Sequence, residues 1–359
     1  MFMFRRRKAS NLTRKLLRRR RANGAGGGAP TPRCPGDGHE HDVHALLKRL
    51  QENQLEMLLT AVDSRGVDPG HCVLVRRDFD DEPQVLCCQY WRWPDLNQGA
   101  ELRRLPQCKS ACDPVYACCN PYHWSRLCQP DTPPPAYSRT NVDRIRPEDR
   151  APSEMPLLTR DSYDSFSTSG DVRMTNPLEW CKVAYWELQE RVGPLFPVEP
   201  RAVNVFGHVP YGMDGLSLEA LSPQNQRPTE ASKTTRSKIG LGVTLSREPD
   251  GCVWLYNRSE FPVFVTSLYL ENEVGSGPGA VPQPIKVPAE TCICVYDPSR
   301  ATGSHPQDYG WGNLVRFHGP APDPNSIRIS FVKGWGTGYT RQEITSCPCW
   351  LEILLSPCR

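Results

Sequence analysis

The chain has 359 residues, 38% of them hydrophobic and 9% aromatic, which is enough apolar material for two ordinary domains joined by a linker. Its 36 prolines and 27 glycines exclude an all-helical protein, because this composition favours short strands and turns. The formal net charge of +3 is unevenly distributed, since residues 1–21 carry ten Lys or Arg and no acidic residue.

The first 43 residues are predicted to be a basic, disordered tail. The four arginines at 18–21 are typical of a nuclear-import signal or a nucleic-acid-binding arm, and a merely solvated tail is equally compatible with them. Residues 24–30 are almost all glycine and alanine and read as a flexible tether. We therefore expect a protein of the nucleus and cytoplasm.

A first domain is predicted at residues 44–128. Leucines and valines between positions 46 and 62 recur at helical spacing and stop before Gly66 and Pro69, which predicts two short amphipathic helices. The apolar runs at residues 72–75 and 85–88 are predicted to be strands.

Cysteine usage in this domain suggests a metal site. The chain has 16 cysteines and no apolar segment typical of a secretory signal, so we expect reduced thiols that serve as metal ligands or core residues. Cys72, Cys108, Cys118 and His123 offer the three sulfurs and one imidazole that suit tetrahedral zinc. Other thiols compete for this role on spacing alone: Cys87, Cys88, Cys112 and Cys119.

Residues 129–176 are predicted to be an extended linker, because they hold seven Pro and eleven Ser or Thr with little apolar periodicity. Within them, Pro134, Pro135 and Tyr137 form a Pro-Pro-x-Tyr (PY) motif. Prolines hold the polyproline II conformation in advance, which lowers the entropy cost of docking on the aromatic groove of a WW domain. The alternative interpretation is a stiff spacer.

A second domain is predicted at residues 177–359. Short strand-like runs at 253–256, 263–265, 292–296 and 327–332 are separated by turns rich in Pro, Gly, Asn and Asp. This pattern predicts a β-sandwich with a few appended helices, and an α+β protein as a whole.

No catalytic motif is recognisable, and we do not expect an enzyme. The glycines of residues 334–338 lack the Gly-Lys-Ser/Thr ending of a phosphate-binding loop. A zinc hydrolase would need three protein ligands and an open metal position. No stretch approaches the roughly 18 to 20 apolar residues of a membrane span, so membrane insertion is not expected.

Two motifs in the first domain resemble the MH1 domain of the Smad family: Trp-Arg-Trp-Pro-Asp-Leu at residues 91–96 and Cys-Cys-Asn-Pro-Tyr-His at 118–123. The resemblance implies a structural zinc ion held by Cys72, Cys108, Cys118 and His123. Signalling Smads read DNA with a basic hairpin that corresponds to residues 76–83. Here this interval carries four carboxylates, so DNA binding is expected to be weak or indirect.

The end of the chain is similar to the MH2 domain of the same family, a sandwich of the type shared with FHA domains. The similarity lies in residues 331–342 and 345–352, which resemble its L3 loop and last strand. By this resemblance, a basic groove for phosphoserine would contain Arg236, Lys238, Lys333 and Arg341.

The chain is identified as similar to the inhibitory Smads. It ends Leu-Leu-Ser-Pro-Cys-Arg rather than in a Ser-Ser-x-Ser tail, and it carries the PY motif. The resemblance implies an antagonist of TGF-β/BMP signalling that competes for activated type I receptors and for receptor-activated and common-mediator Smads, and that recruits Smurf-type HECT ubiquitin ligases. The alternative is a DNA-binding Smad regulator or corepressor.

Overall fold

The computed structural model describes residues 2–20, 38–68, 70–77, 82–110, 113–129, 178–208, 214–267, 269–270, 283–301, 325–336 and 338–356. The chain divides into two compact units, one built mainly from Met1–Leu127 and the other mainly from the residues that follow. Residues 130–176 of the predicted linker, including the PY motif, lie outside the described residues. In the described part, no helix is both long and apolar enough to cross a membrane.

The first unit combines four helices with two small strand pairs in its described residues. The helices are α1 (Phe2–Arg18), α2 (Gly38–Arg49), α3 (Glu52–Ser64) and α4 (Pro83–Trp91). The strands are β1 (Leu74–Arg76), β2 (Leu102–Arg104), β3 (Tyr116–Cys118) and β4 (Trp124–Leu127), with β1 antiparallel to β3 and β2 antiparallel to β4. The predicted pair of amphipathic helices is confirmed as α2 and α3.

The prediction of a strand at residues 85–88 is wrong, because these residues lie in α4. Val85 and Cys88 pack into one apolar cluster, while Cys87 and Trp91 pack into another. The helix is thus apolar on opposite faces, and a helix buried all round shows no amphipathic period. Pro83 in its first turn fits a helix start, where a missing N–H costs nothing.

The prediction of a disordered tail is wrong for residues 2–18, which form helix α1. Leu12 is only 8% exposed and Leu16 is fully buried in the core of the first unit. The indole N–H of Trp91 donates to the carbonyl oxygen of Leu16 (3.3 Å), and the hydroxyl of Tyr90 donates to that of Leu17 (3.1 Å). Apolar burial and these capped carbonyls hold the helix in place.

Ion pairs along α3 reinforce this docking. The ammonium of Lys8 lies 2.8 Å from the carboxylate of Glu52 and 2.7 Å from that of Glu56. At the other end, the guanidinium of Arg19 lies 2.8 Å from the carboxylate of Asp63. Sequence patterns missed α1 because, among residues 8–18, whose burial the structure describes, only Leu12 and Leu16 are buried, and the sequence around them is that of a charged tail.

The β1–β3 ribbon has side chains bound along its outer edge. The amide of Gln54 in α3 donates to the carbonyl oxygen of Leu74 (2.8 Å), and the guanidinium of Arg49 in α2 donates to that of Arg76 (2.9 Å). Both of these carbonyls belong to β1. The ribbon is therefore anchored to two helices by its backbone.

The second unit is a β-sandwich, as predicted. One sheet has the strand order β13-β12-β15-β16-β5-β6, with β7 also paired to β5, and the other contains β14-β11-β10-β8-β9. The strands are β5 Cys181–Glu187, β6 Glu190–Arg191, β7 Phe196–Val198, β8 Ala202–Phe206, β9 Leu216–Ser217, β10 Val243–Arg247, β11 Val253–Asn257, β12 Val263–Ser267, β13 Ile285–Val287, β14 Thr291–Tyr296, β15 Ser326–Phe331 and β16 Trp350–Leu355. Short helices are α5 (Leu218–Leu221), α6 (Glu230–Arg236) and α7 (Pro298–Ala301).

The core of this unit lies between the two sheets. Val183, Val265 and Ile329 from the first sheet pack with Leu245 and Leu255 from the second, and all five are fully buried. Lys182 and Trp186 of β5 and Trp254 of β11 are more exposed, as expected for residues on the face that points away from the core. The four runs predicted as strands are confirmed as β11, β12, β14 and β15.

Candidate metal centre and cationic loop

Four predicted ligands come together in the first unit. The ligand atoms of Cys72, Cys108, Cys118 and His123 all lie within 4.8 Å of one another. The sulfurs of Cys72 and Cys108 are 3.9 Å apart, and Nδ1 of His123 lies 3.5 Å from the sulfur of Cys72 and 3.5 Å from that of Cys118. Three of the four residues are buried, and Cys72 is partly exposed.

These spacings match a tetrahedral metal site. Bonds of about 2.3 Å to sulfur and about 2.1 Å to nitrogen place neighbouring ligand atoms about 3.6 to 3.8 Å apart at the corners of a tetrahedron. The measured 3.9 and 3.5 Å lie close to these edges. The donor set therefore fits a metal ion bound by four protein ligands.

Local structure aims the ligands at one point. Cys118 ends strand β3, and His123 ends a 3₁₀ turn, Pro121–His123. Asn120 is fully buried between them; its side-chain oxygen accepts from the N–H of Tyr122 (3.0 Å), and its amide donates to the carbonyl of His71 (3.2 Å). Asn120 thus ties the histidine turn to the segment that holds Cys72.

Asn120 is a supporting residue that the sequence interpretation did not single out, although it belongs to the Cys-Cys-Asn-Pro-Tyr-His motif. The available signal was the Asn-Pro pair, which is typical of a turn. Metal ligands are usually held by such hydrogen-bonded neighbours.

The sulfurs of the cluster influence one another's protonation. Hydrogen bonds from the thiols of Cys118 and Cys72 lower the pKa of Cys108, and the proximity of Cys108 raises the pKa of Cys118. Cys108 also lies 3.2 Å from the hydroxyl oxygen of Ser110. The opposite directions of these two shifts reflect how closely the sulfurs lie to one another.

Three of the cysteines that competed for the role of metal ligand lie outside this four-residue cluster. Cys87 and Cys119 are fully buried in the helical core, where burial raises the pKa of the Cys87 thiol. Cys88 is buried in the neighbouring cluster, and burial raises its pKa to about 12. These three thiols read as core residues, while Cys112 lies outside the described residues.

A second candidate site is the loop between β15 and β16, which we call the cationic loop (residues 332–343). Its base is an aromatic cluster in which Trp186 stacks on Trp350 at 5.2 Å and Phe264 meets Tyr339 edge-on at 5.5 Å. Gly334 packs under Tyr339, where a Cβ atom would lie 2.5 Å from the ring. The described part of the loop is thus supported by packed rings.

Backbone hydrogen bonds fix the positions of two predicted cations in the loop. The carbonyl oxygen of Lys333 accepts from the hydroxyl of Ser330 (2.7 Å), and that of Arg341 accepts from the N–H of Gly336 (2.7 Å). Arg341 also lies near the thiol of Cys347: burial raises the pKa of this thiol, and the positive charge of Arg341 opposes the increase. Both cationic side chains are partly exposed.

A third predicted cation, Lys238, is exposed and follows α6. Its ammonium lies 5.7 Å from the centre of the Phe261 ring. The next residue, Pro262, accepts a hydrogen bond from the N–H of Val332, which precedes Lys333 (3.0 Å). The Phe-Pro turn therefore contacts Lys238 through its ring and the residue before Lys333 through its backbone.

The fourth predicted cation, Arg236, points inward and does not belong with the other three. Its guanidinium lies 3.4 Å from the carboxylate of Glu187, and these side chains are only 12% and 2% exposed. Glu187 also accepts from the hydroxyl of Tyr185 (2.8 Å) and the amide of Asn225 (2.7 Å). The charge of Arg236 is thus matched by a buried carboxylate, whereas Lys238, two residues further on, is exposed.

Comparisons with known proteins agree with this architecture. A family model described as "MH1 domain" matches residues 39–128, and one described as "MH2 domain" matches residues 178–356. The chain is 44% identical over 335 residues to "Mothers against decapentaplegic homolog 6" of Gallus gallus, covering 88% of this chain and 74% of that protein. It is 36% identical over 344 residues to "Mothers against decapentaplegic homolog 7" of Homo sapiens, covering 88% and 77%.

Among solved structures, the chain is similar to that of the interferon regulatory factor 9 IAD domain. The identity is 11% and the TM-score 0.33, with 51% of this chain and 85% of that chain covered. A likeness at this level has no bearing on function.

Proposed function

The chain belongs to the Smad family, as an inhibitory Smad of TGF-β/BMP signalling, and from this premise we propose that its MH2 domain competes with signalling Smads for activated type I receptors. The same site would bind phosphorylated receptor-activated Smads and their common-mediator partner. A protein that occupies these phosphorylated surfaces without transmitting the signal acts as an antagonist.

The observation that carries this proposal is the placement of Lys238, Lys333 and Arg341. Two of them belong to a loop supported by packed aromatic rings, and the third lies over the ring of Phe261, next to the proline that accepts a hydrogen bond from Val332 of that loop. A phosphoserine carries a charge of about −1.5 to −2 at neutral pH and three acceptor oxygens. Partly exposed cations on a fixed backbone can recognise it by charge-assisted hydrogen bonds.

We further propose that residues 134–137 recruit WW-containing HECT ubiquitin ligases of the Smurf type. The support is the sequence Pro-Pro-Ala-Tyr, in which the prolines favour a polyproline II conformation and the tyrosine supplies a ring for a neighbouring pocket. Receptor occupation and ligase recruitment would then act together, because the ligase is brought to the receptor that the MH2 domain holds.

The metal that we propose for Cys72, Cys108, Cys118 and His123 is zinc. Three sulfurs and one imidazole in tetrahedral spacing are a zinc donor set, and four protein ligands leave no open position for a catalytic water. Zn²⁺ bound there would supply a cross-link between these segments. Hydrogen bonds within the protein set the positions of two ligands, because Asn120 joins the turn that ends at His123 to the chain before Cys72.

For location, we propose the nucleus and the cytoplasm, on the strength of the basic residues 1–21.

The experiment for the receptor proposal is a pull-down of the whole chain with the cytoplasmic part of a type I receptor, phosphorylated or not. We expect strong capture by the phosphorylated form and weak capture by the other. Equal capture by both forms would show that phosphate is not what the MH2 domain recognises.

A further inference from the structure

The turn between β11 and β12 is built around a buried asparagine. Asn257 ends β11 and is only 1% exposed. Its side-chain nitrogen lies 2.9 Å from the carbonyl oxygen of Phe261, 3.0 Å from that of Val287 and 3.0 Å from that of Pro288. Its side-chain oxygen accepts from the N–H of Ser259 (3.0 Å). The amide group therefore joins this turn to the end of strand β13.

Ser259, which is also buried, reinforces the same turn. Its hydroxyl donates to the carbonyl oxygen of Phe261 (2.6 Å), and the N–H of Phe261 donates back to the hydroxyl oxygen (3.2 Å). The peptide group between Phe261 and Pro262 is thus held by two side-chain donors. The run Asn257-Arg258-Ser259 also matches the acceptor sequence for N-glycosylation. The nitrogen that would carry the sugar is bound to backbone carbonyls, so the motif has a structural use here.

The turn contacts both parts of the proposed phosphoserine site. The ring of Phe261 lies 5.7 Å from the ammonium of Lys238, within the range of about 6 Å over which a cation is attracted to an aromatic face. The carbonyl oxygen of Pro262 accepts from the N–H of Val332 (3.0 Å), the residue before Lys333. Lys238 therefore contacts the turn directly, and Lys333 follows a residue that the turn holds.

Val332 has an unusual backbone conformation. Its φ is 65°, in the left-handed region, where a β-branched residue is an outlier because its side chain crowds the backbone. Such conformations persist only where neighbouring groups hold them. Here the N–H of Val332 is bound by Pro262, and the N–H of Lys333 by the carbonyl oxygen of Phe331 (2.7 Å). Loss of the contact with Pro262 would let this backbone relax and would move Lys333.

We propose that Asn257 is a positioning residue of the phosphoserine site, which sets the spacing between Lys238 and Lys333 through the turn that it holds. The inference rests on the proposed function and adds how the cations are kept in register. Asn257 does not contact the phosphate, because it is buried and its hydrogen bonds go to the backbone. Its effect on affinity passes through the two lysines.

The test is calorimetry of the whole chain with a doubly phosphorylated receptor peptide and with the same peptide unphosphorylated. We expect the wild type to prefer the phosphorylated form. Asn257→Ser should weaken binding of that form about tenfold, the size expected when one hydrogen bond to a charged group is lost. In the K238A and K333A backgrounds the same substitution should weaken binding about threefold or less, because residues that act through one another are not additive.

Ser267→Ala is the matched control for a loss of stability. Ser267 is buried at the opposite end of β12, where its hydroxyl donates to the carbonyl oxygen of Val295 (2.7 Å). Its replacement should destabilise the second unit and leave the preference for phosphate unchanged. Circular dichroism checks that each variant is folded at the temperature of the titration. If N257S does not fold, S259A makes a smaller change in the same turn and should show the same dependence on the two lysines.

Two outcomes would overturn the inference and leave the proposed function standing. In one, the wild type prefers the phosphorylated peptide, but the turn variant weakens binding by the same factor with and without the lysines. In the other, S267A weakens binding as much as the turn variant does. Equal binding of both peptides by the wild type would instead contradict the proposed function, and the inference with it.

Discussion

The carboxylate of Glu187 in β5 lies 3.4 Å from the guanidinium of Arg236 at the end of α6, in a place nearly closed to solvent. The pair joins the β-sandwich to the helix that precedes Lys238. Buried charges are stable only when they are paired and hydrogen-bonded, so each partner depends on the other.

Replacing Arg236 by Met should lower the free energy of unfolding of the second unit by about 3 to 5 kcal/mol, because it leaves Glu187 buried without its counter-charge. Adding Glu187→Gln should restore much of this loss, since the amide is neutral. Urea unfolding of the whole chain, followed by tryptophan fluorescence, measures both changes. If the double variant were no more stable than R236M, the two residues would not be coupled.

Reversing the charges of the cationic loop should weaken recognition of phosphate. We expect K333E/R341E to bind a doubly phosphorylated receptor peptide about a hundredfold more weakly, since hydrogen bonds to charged groups contribute about 1.5 to 3 kcal/mol each. Calorimetry across a salt series measures the affinity, which should depend less on salt in the variant. The matched control is R191E/K286E, and the same loss in both variants would assign the effect to net charge alone.

Replacing His123 by Ala should release the metal and destabilise the first unit, because a structural zinc site contributes about 10 kcal/mol or more to folding. Metal content by mass spectrometry and thermal unfolding measure the two effects. Cys252→Ser, a thiol of the second unit that no metal cluster includes among the described residues, should keep one metal per chain. A fully metallated, stable H123A variant would show that a different residue is the fourth ligand.

Replacing Tyr137 by Ala should abolish binding to an isolated WW domain from a HECT ligase, because the ring that fills the pocket is lost. Receptor capture should not change. Tyr163→Ala is the matched control, since no proline pair precedes this linker tyrosine. Undiminished WW binding by Y137A would remove the PY motif from the proposed function.

Arg126 should make the first unit more resistant to acid. Burial alone would raise the pKa values of Asp95 and Glu101, but hydrogen bonds and charge from Arg126 outweigh it and lower both. These two carboxylates therefore stabilise the first unit fully above the ordinary carboxyl pKa of about 4. This stabilisation is lost as the pH falls through the lowered pKa values of Asp95 and Glu101. In Arg126→Gln, acid unfolding should begin at a higher pH; an unchanged acid midpoint would contradict the prediction.

The sequence predicted both the β-sandwich and the four residues that come together in the first unit, but for different reasons. Strands of the second unit are short, apolar and bounded by turn residues, so each can be recognised from a few consecutive residues. Cys118 and His123 are close in the sequence, but their convergence with Cys72 and Cys108 depends on contacts across the unit. Spacing alone left other thiols open, and the family resemblance decided between them.

Other features depend on partners that the sequence pattern does not reveal. Residues 85–88 look like a strand because both sides of α4 are buried. Arg236 and Lys238 are two positions apart and equally charged, yet one turns inward because Glu187 lies beside it and the other stays exposed. Helix α1 reads as a tail because the residues that cap its carbonyls, Tyr90 and Trp91, are distant in the sequence.

The side chains of Gln54 and Arg49 along β1 also determine how other molecules can approach this ribbon. An incoming peptide would have to displace both from the carbonyls of Leu74 and Arg76 before it could add as a further strand. This protects the ribbon from edge-to-edge aggregation. It also means that a ligand approaching from this side must recognise side chains rather than extend the sheet.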